Sequence, residues 1–399
     1  MKRVAVLGGG PAGAFAAERL ARGGLDTVVL DEKLAWEKPC GGGLTSKAWR
    51  EYPFLIENDT PKRFIRQTTL TAPRAGAVTL ELSEPVLIYS RIDLNRMLLE
   101  RAQRAGARIE KTRVIGLDRT AGGWTVRTLN GAIDADFCVI AMGARNPVRE
   151  VGTEWAHRDT MTALGYYIEN AQQHVDVQFL PEFEGYIWVF PRCAHASAGI
   201  CGKGVSAQRM RAMLESYLDE RGIAWKGARF YAHMLPSLEP GSWPTNRVAG
   251  EGWMAVGDSA GMVDPITGEG LYYAMRSGDI ASRVLLDQTC SLDRKPAAYR
   301  AAIEKDFVAD LAFGAKLARR FYLGEFLSGS IPARMVQFAR HSPRLSRLVD
   351  QLFAGSQQYG SLRKRVYRDM GVSALQIGKA LALSAVTGNR GEGLPVQQP

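Results

Sequence analysis

The stretch that decides the fold runs from Val4 to Glu32, VAVLGGGPAGAFAAERLARGGLDTVVLDE. Val4-Ala5-Val6-Leu7 is an apolar run long enough for one buried strand. Gly8-Gly9-Gly10-Pro11-Ala12-Gly13 follows, and a helical pattern continues to Leu20. Thr27-Val28-Val29-Leu30 is a second short apolar run, ending in Asp31-Glu32. Strand, tight glycine turn, helix, strand and acid form the order that binds a dinucleotide. Gly8 permits the turn, and Gly10, without a Cβ, lets the backbone approach a pyrophosphate. Gly13 allows the helix to pack close to the sheet. The helix start at Ala12 offers free N–H groups and a partial positive charge to phosphates. Asp31 stands where a carboxylate can accept hydrogen bonds from a ribose.

Working outward, the 399 residues allow two or three domains and an ample core. Hydrophobic content of 46% and charge of 23% suit a globular protein. No apolar run approaches the roughly 20 residues that span a bilayer. The run after Lys2-Arg3 breaks at Gly8, too early for a signal peptide. Five cysteines without metal-site spacing point to reduced thiols, a cytoplasmic protein and no metal centre. The net charge of +10 is uneven: between Leu311 and Met370 eleven Lys and Arg face three acids. That stretch suits an anionic membrane face, an acidic partner or a solvated helical face. Nothing points to nucleic acid.

A second strong motif lies late in the chain. Trp253-Met254-Ala255-Val256 reads as a strand ending in Gly257-Asp258, and Asp264-Pro265-Ile266-Thr267-Gly268-Glu269-Gly270 leads into a helix from Leu271 to Leu286. Paired with the first motif, it points to a flavin. Asp258 can bind ribityl or ribose hydroxyls, and the helix after Gly270 can set its positive end near the pyrimidine edge of the ring. Between the motifs lie a helical pattern from Arg91 to Ala105 and strands over 108–117, 123–129 and 137–141. A β-rich run covers 162–203, a helix 207–221 and a strand 228–235. The spacing predicts an α/β fold.

Gly8-x-Gly10-x-x-Gly13, the late Gly257-Asp258 and the β-rich insert together resemble flavoproteins of the para-hydroxybenzoate hydroxylase fold. Pro39-Cys40-Gly41-Gly42 and Tyr186-x-Trp188-x-Phe190-Pro191 resemble motifs of the geranylgeranyl reductases, in which the second lines a lipid cavity. The resemblance covers about residues 1 to 290. It implies a Rossmann-like FAD-binding domain (1–75, 91–160 and 245–298) with an inserted antiparallel substrate domain (76–90 and 161–244). A C-terminal helical region (299–390) and a flexible tail (391–399) follow. Two departures stand out. Met142-Gly143 replaces the usual Asp-Gly, which puts direct use of nicotinamide in doubt. Cys201 replaces a glycine after the aromatic motif, which leaves the cavity's shape there open.

The implied cofactor is FAD, held by Gly8, Gly10, Ala12, Gly13, Asp31, Cys40, Gly41, Gly43, Arg91, Val114, Asp258, Gly268, Gly270 and Leu271. The implied reaction is reduction of C=C bonds in a prenyl or similar apolar substrate, with electrons from NAD(P)H or a ferredoxin. An isolated alkene offers no charge to grip, so positioning must supply most of the rate. Tyr186, Trp188, Phe190, Phe179 and Tyr166 are candidate cavity walls, with ordinary sheet core as the other reading. Cys40 is the candidate catalytic residue, either donating a proton or only packing. His195 and His233 read as surface or hydrogen-bonded histidines. A monooxygenase or halogenase, and a flavoprotein passing electrons to a quinone, are the alternatives. One face of the helical C-terminal region is expected to cover the cavity mouth, and its basic face to touch an anionic membrane surface.

Overall fold

The computed structural model describes residues 3–362 except 149, 170, 171 and 357. The quoted stretch folds as read: β1 (Arg3–Leu7), α1 (Pro11–Arg22) and β2 (Asp26–Asp31). A short β3 (Gly43–Leu44) and α2 (Ser46–Glu51) follow, then a long hairpin of β4 (Lys62–Ala72) and β5 (Gly76–Tyr89), and α3 (Arg91–Arg104). Next come β6 (Arg108–Lys111), β7 (Val114–Thr120), β8 (Gly123–Thr128), β9 (Gly131–Ala135) and β10 (Phe137–Ile140). The insert supplies β11 (Thr160–Ile168), β12 (Val175–Phe179), β13 (Gly185–Pro191), β14 (Ala196–Gly202), α4 (Ala207–Glu220) and β15 (Arg229–Pro236). The chain then returns through β16 (Ala249–Gly250) and β17 (Trp253–Ala255) to α5 (Leu271–Leu286). It continues through α6 (Lys295–Ile303), α7 (Ala309–Leu323), a small hairpin of β18 (Glu325–Phe326) and β19 (Gly329–Ser330), α8 (Ile331–His341) and α9 (Pro343–Phe353).

Two large sheets organise these elements. The first has the order β16-β17-β10-β1-β2-β6 and is parallel except at β16. Its strands β1, β2 and β10 are buried on both faces, which explains their unbroken apolar runs. Helix α1 packs against α3 and α5 on one side, and the meander β7–β9 meets β1 and β10. The second sheet has the order β15-β11-β14-β13-β12-β4-β5-β3 and is antiparallel except between β12 and β4. Its two faces have different cover. Leu164, Tyr166, Ile187, Val189 and Ile200 pack under α4, and Leu70, Val177 and Phe179 face the side closed by α8 and α9.

Some expectations change. Strand β4, placed with the first domain in the sequence reading, pairs with β5 and β12 in the second sheet, and the short β3 pairs with β5 at its edge, so that sheet draws on residues well before 76. A half-polar strand such as KRFIRQTTLTA gives no local sign of which sheet it joins. The strand expected over 108–117 is two strands, β6 and β7, in different sheets. The C-terminal region is helical through Phe353, apart from the small hairpin. Residues 363–390 and the expected tail at 391–399 lie outside the described residues, as do Arg363, Lys364, Arg365 and Arg368.

Candidate active site

The three glycines of the first turn divide by what they face. A Cβ at Gly8, whose φ is +109°, would sit 2.3 Å from the Ala141 carbonyl oxygen, and one at Gly13 would sit 1.9 Å from that of Gly8. Both are required by packing of the turn itself. A Cβ at Gly10 would meet nothing within 4 Å, and Gly10 borders a cavity of about 310 Å³. The missing side chain there is of no use to the fold and leaves backbone open to the cavity. Asp31 secures the turn: its carboxylate accepts from the N–H of Gly9, Lys33 and Leu34, each at 2.7 Å.

One end of the cavity is polar. Lys38 Nζ donates to Asp258 Oδ2 at 2.9 Å. Burial alone would lift the Asp258 carboxyl; the Lys38 ammonium, helped by Arg91, holds it below the usual carboxylate range. His233 faces the same space, pushed down to about 3 by burial and then by the Lys38 charge, so its imidazole is neutral. Two buried nitrogens on this wall, Arg91 Nε and His233 Nε2, have no hydrogen-bond partner among the described residues. Arg91 is only 3% exposed. Buried donors and cations without partners are costly unless something anionic or hydrogen-bonding meets them. Helix α1 begins beside them, and Gly268, Gly270 and Leu271 at the start of α5 also line the cavity.

The other end is apolar. Register explains its walls: Tyr186, Trp188 and Phe190 alternate along β13 and point to one face, joined by Val175, Val177 and Phe179 of β12. Gly199 lies opposite Trp188, and a Cβ there would be 2.3 Å from the indole ring. Cys201, opposite Tyr186, is buried and also lines the cavity. Phe321, Met335, Val349, Leu352 and Phe353 close the space from α7, α8 and α9.

Between the two ends lies the turn Cys40-Gly41-Gly42-Gly43. The Phe190 ring packs on it: a Cβ at Gly41 would be 3.1 Å from that ring and one at Gly43 would be 2.8 Å from it. Cys40 Sγ accepts from Gly42 N–H at 3.3 Å and lines the cavity. Asp264 and Glu269, in the loop before α5, line the same cavity. Asp264 accepts from Ile266 and Thr267 N–H and from the Tyr359 hydroxyl at 2.7 Å. Burial nonetheless raises its carboxyl above the ordinary range.

The structure therefore gathers Gly10, Ala12, Cys40, Gly41, Gly43, Arg91, Asp258, Gly268, Gly270, Leu271, Phe179, Tyr186, Trp188 and Phe190 around one cavity. Gly8, Gly13 and Asp31 support it from behind. Val114 is buried in the core of the first sheet and does not border the cavity. Tyr166 is a correction: it lies on the opposite face of the second sheet, under α4, with its hydroxyl on Glu215 and Arg211. His195 is hydrogen-bonded, 3.3 Å from Arg192 Nη1, whereas His233 is neither a surface histidine nor paired at Nε2. The C-terminal helices cover the cavity as expected, whereas sequence reasoning missed Lys38, Glu269 and the place of His233 on the cavity wall. The one available signal was the alternation Tyr231-x-His233-x-Leu235, which puts His233 on the same strand face as Leu235.

These residues fit a flavin dinucleotide. Gly10 leaves an open approach at a helix N-terminus, and unpartnered buried nitrogens and the Asp258 carboxylate converge on that approach. The comparisons agree. Residues 2–177 match the family model described as pyridine nucleotide-disulphide oxidoreductase. The chain is 31% identical over 321 residues to the chloroplastic geranylgeranyl diphosphate reductase of Oryza sativa subsp. japonica, covering 71% of this chain and 66% of that protein. It spans just under two thirds of the length of the plant relatives it matches. It is 27% identical over 341 residues to digeranylgeranylglycerophospholipid reductase 2 of Methanothermobacter thermautotrophicus, covering 78% and 86%. A solved structure from Thermoplasma acidophilum, described as geranylgeranyl bacteriochlorophyll reductase-like, superposes with a TM-score of 0.76 at 22% identity, covering 92% and 99%.

Proposed function

We propose that this chain is a geranylgeranyl reductase-like, FAD-dependent oxidoreductase that uses FAD to reduce C=C bonds in a prenyl chain or similarly apolar substrate. The observation that carries the reading is one cavity with a basic, glycine-lined end and an aromatic, aliphatic end, meeting at Cys40. FAD, when bound, supplies the hydride. The protein's own residues supply the rest. Gly10, Arg91 and the start of α1 would hold the diphosphate, Asp258 with Lys38 the sugar-like chain, and the start of α5 the ring edge. Trp188, Phe190, Phe179 and Phe353 would exclude water and fix the alkene, since such a substrate can be gripped only by shape. Cys40 borders the junction, where its thiol would either give a proton to the second alkene carbon or pack against the substrate.

The electron donor we favour is a small one-electron carrier such as a ferredoxin rather than NAD(P)H. Met142 stands where the resemblance leads one to expect an Asp, and a thioether cannot accept hydrogen bonds as a carboxylate does. We also favour a peripheral membrane contact. Exposed Leu323 and Leu327 lie beside Arg319 and Arg320, and Arg344 and Arg347 are exposed on α9. No helix among the described residues is long and apolar enough to cross a membrane. Flotation equal with neutral and anionic vesicles would remove the electrostatic part of that reading.

The main test is anaerobic. The flavin is reduced by dithionite, by NADPH and by ferredoxin, then mixed with a polyprenyl substrate, and product mass is followed. The expected product is two hydrogens heavier, with NADPH the slow donor. Bleached enzyme that leaves every polyprenyl substrate unchanged would overturn the reductase reading. Fast bleaching by NADPH would overturn the choice of donor.

A further inference from the structure

Among the described residues, the largest fully buried side chain is a charged one. Arg192 follows directly on the aromatic strand β13 and is 0% exposed. Its guanidinium makes a fork of contacts to the Cys40-Gly41 backbone and to Glu37 just before it. Nη2 donates to the Cys40 carbonyl, Nε to the Gly41 carbonyl at 3.3 Å, and Nη1 to the Glu37 carboxylate. Glu37 in turn accepts from Arg91 N–H at 2.8 Å at the start of α3. Ser197 Oγ adds a second donor to the Cys40 carbonyl at 2.9 Å, and Tyr167 hydroxyl donates to the Glu37 carbonyl at 3.0 Å. His195 Nε2 lies 3.3 Å from Nη1; burial and then the Arg192 charge keep its imidazole neutral. The guanidinium thus meets the Glu37 carboxylate and the uncharged carbonyls of Cys40 and Gly41.

This arrangement joins the strand that forms the apolar wall to the turn that carries Cys40 and to the helix that starts with Arg91. Two residues before Arg192, the Phe190 ring already rests on Gly41 and Gly43. We propose that Arg192 is a positioning residue: it fixes the Cys40–Gly43 turn at the junction of the cavity's polar and apolar ends, and so sets where the reacting carbon lies. This rests on the reductase reading for its kinetic consequence, but not for its effect on the turn. A lysine at 192 has a single ammonium and cannot reproduce a planar fork onto three acceptors. Misplacement by about 1 Å can cost about a hundredfold in rate.

The test compares Arg192→Lys and Arg192→Met with wild type, each loaded with flavin. The first readout is the alkylation rate of Cys40 by iodoacetamide, followed by peptide mass mapping across pH. The second is single-turnover oxidation of pre-reduced flavin by a polyprenyl substrate. In Arg192→Met we expect Cys40 alkylation to rise about tenfold and the limiting rate to fall about 10- to 100-fold, with half-saturation changed less than threefold. Arg192→Lys should fall between. Unchanged alkylation and an unchanged limiting rate in folded Arg192→Met would overturn the proposal, as would a loss seen only in half-saturation. Should Arg192→Met not fold, Glu37→Gln removes the charged partner and is expected to give the same two changes at smaller size; no change in either overturns the proposal. If wild type itself oxidises no polyprenyl substrate, the reductase reading fails, and Cys40 alkylation still decides whether Arg192 holds the turn.

Discussion

The two ends of the cavity are built by opposite economies of side chain. At the polar end the fold leaves things out: Gly10 has no Cβ, and Arg91 and His233 keep buried nitrogens without partners among the described residues. At the apolar end it fills space closely: Trp188 sits over Gly199, and Phe190 lies on Gly41 and Gly43. The difference separates binding from stability. At the polar end, Gly10 and the buried nitrogens of Arg91 and His233 are poorly explained by the protein's own contacts and suit a ligand. Residues at the apolar end are already well packed, so they serve fold and substrate together.

Gly10→Val should produce the largest break. Gly10 has φ −68° and ψ −178°, which a valine can adopt, and its side chain would project into open space. Stability without flavin should therefore change by less than about 0.5 kcal/mol. Flavin affinity should collapse. Loss of two charge-assisted contacts to the diphosphate, each about 2 kcal/mol, is roughly a thousandfold. Titration of the apoprotein with FAD checks this, and tight binding by a folded variant would show that Gly10 does not face the diphosphate.

Trp188→Ala should show the reverse pattern. Trp188 is 5% exposed and packed into the sheet. Truncating a buried aromatic costs about 3–5 kcal/mol, and Gly199 beneath it cannot fill the gap. The variant should bind flavin normally but unfold at lower denaturant and oxidise a polyprenyl substrate slowly. A variant that unfolds like wild type would mean the ring is held loosely as a gate rather than as core.

Glu269 sits between the ends and should give a milder, pH-dependent effect. Burial, with Asp264 nearby, lifts its carboxyl from 4.5 to about 7, against the hydrogen bond from Tyr272 N–H. An acid whose pKa rises on folding binds more protons folded than unfolded between those values. Its contribution to stability is therefore present at low pH and is lost as pH rises from about 4.5 to about 7. Glu269→Gln should flatten that slope and gain on wild type most clearly above pH 7. Denaturant midpoints at several pH values decide it; parallel curves for the two proteins would mean that the carboxyl titrates normally.

How much of this was legible in the sequence follows from range and symmetry. Gly8, Gly10, Gly13 and Asp31 act within about 30 residues of one another, so spacing alone exposed the turn. Asp258 was legible because its strand, turn and helix are also local. Lys38, His233 and Phe353 come together only through the pairing of distant strands and the closure of α9, which no local pattern encodes. The edges of the second sheet were hidden for the same reason, and β4 was misplaced. Tyr166 went astray because the second sheet is covered on both faces. Apolar alternation marks a single buried face only when the other is wet.

That ambiguity yields the smallest prediction. Tyr166 and Trp188 are aromatic residues of one sheet, but β11 turns Tyr166 toward α4, where its hydroxyl meets Arg211 Nε at 3.0 Å and the Glu215 carboxylate. Both partners also meet each other, Arg211 Nε to Glu215 at 2.8 Å, at the edge of solvent. Tyr166→Phe removes one hydroxyl, keeps the ring in its core cluster and leaves that ion pair intact, so the cost should be about 1 kcal/mol or less. Flavin affinity and the rate with a polyprenyl substrate should stay within a factor of two, because the sheet backbone separates the ring from the cavity. A clear loss of turnover in Tyr166→Phe, at unchanged stability, would show that the two faces of the sheet are coupled and that α4 belongs to the site.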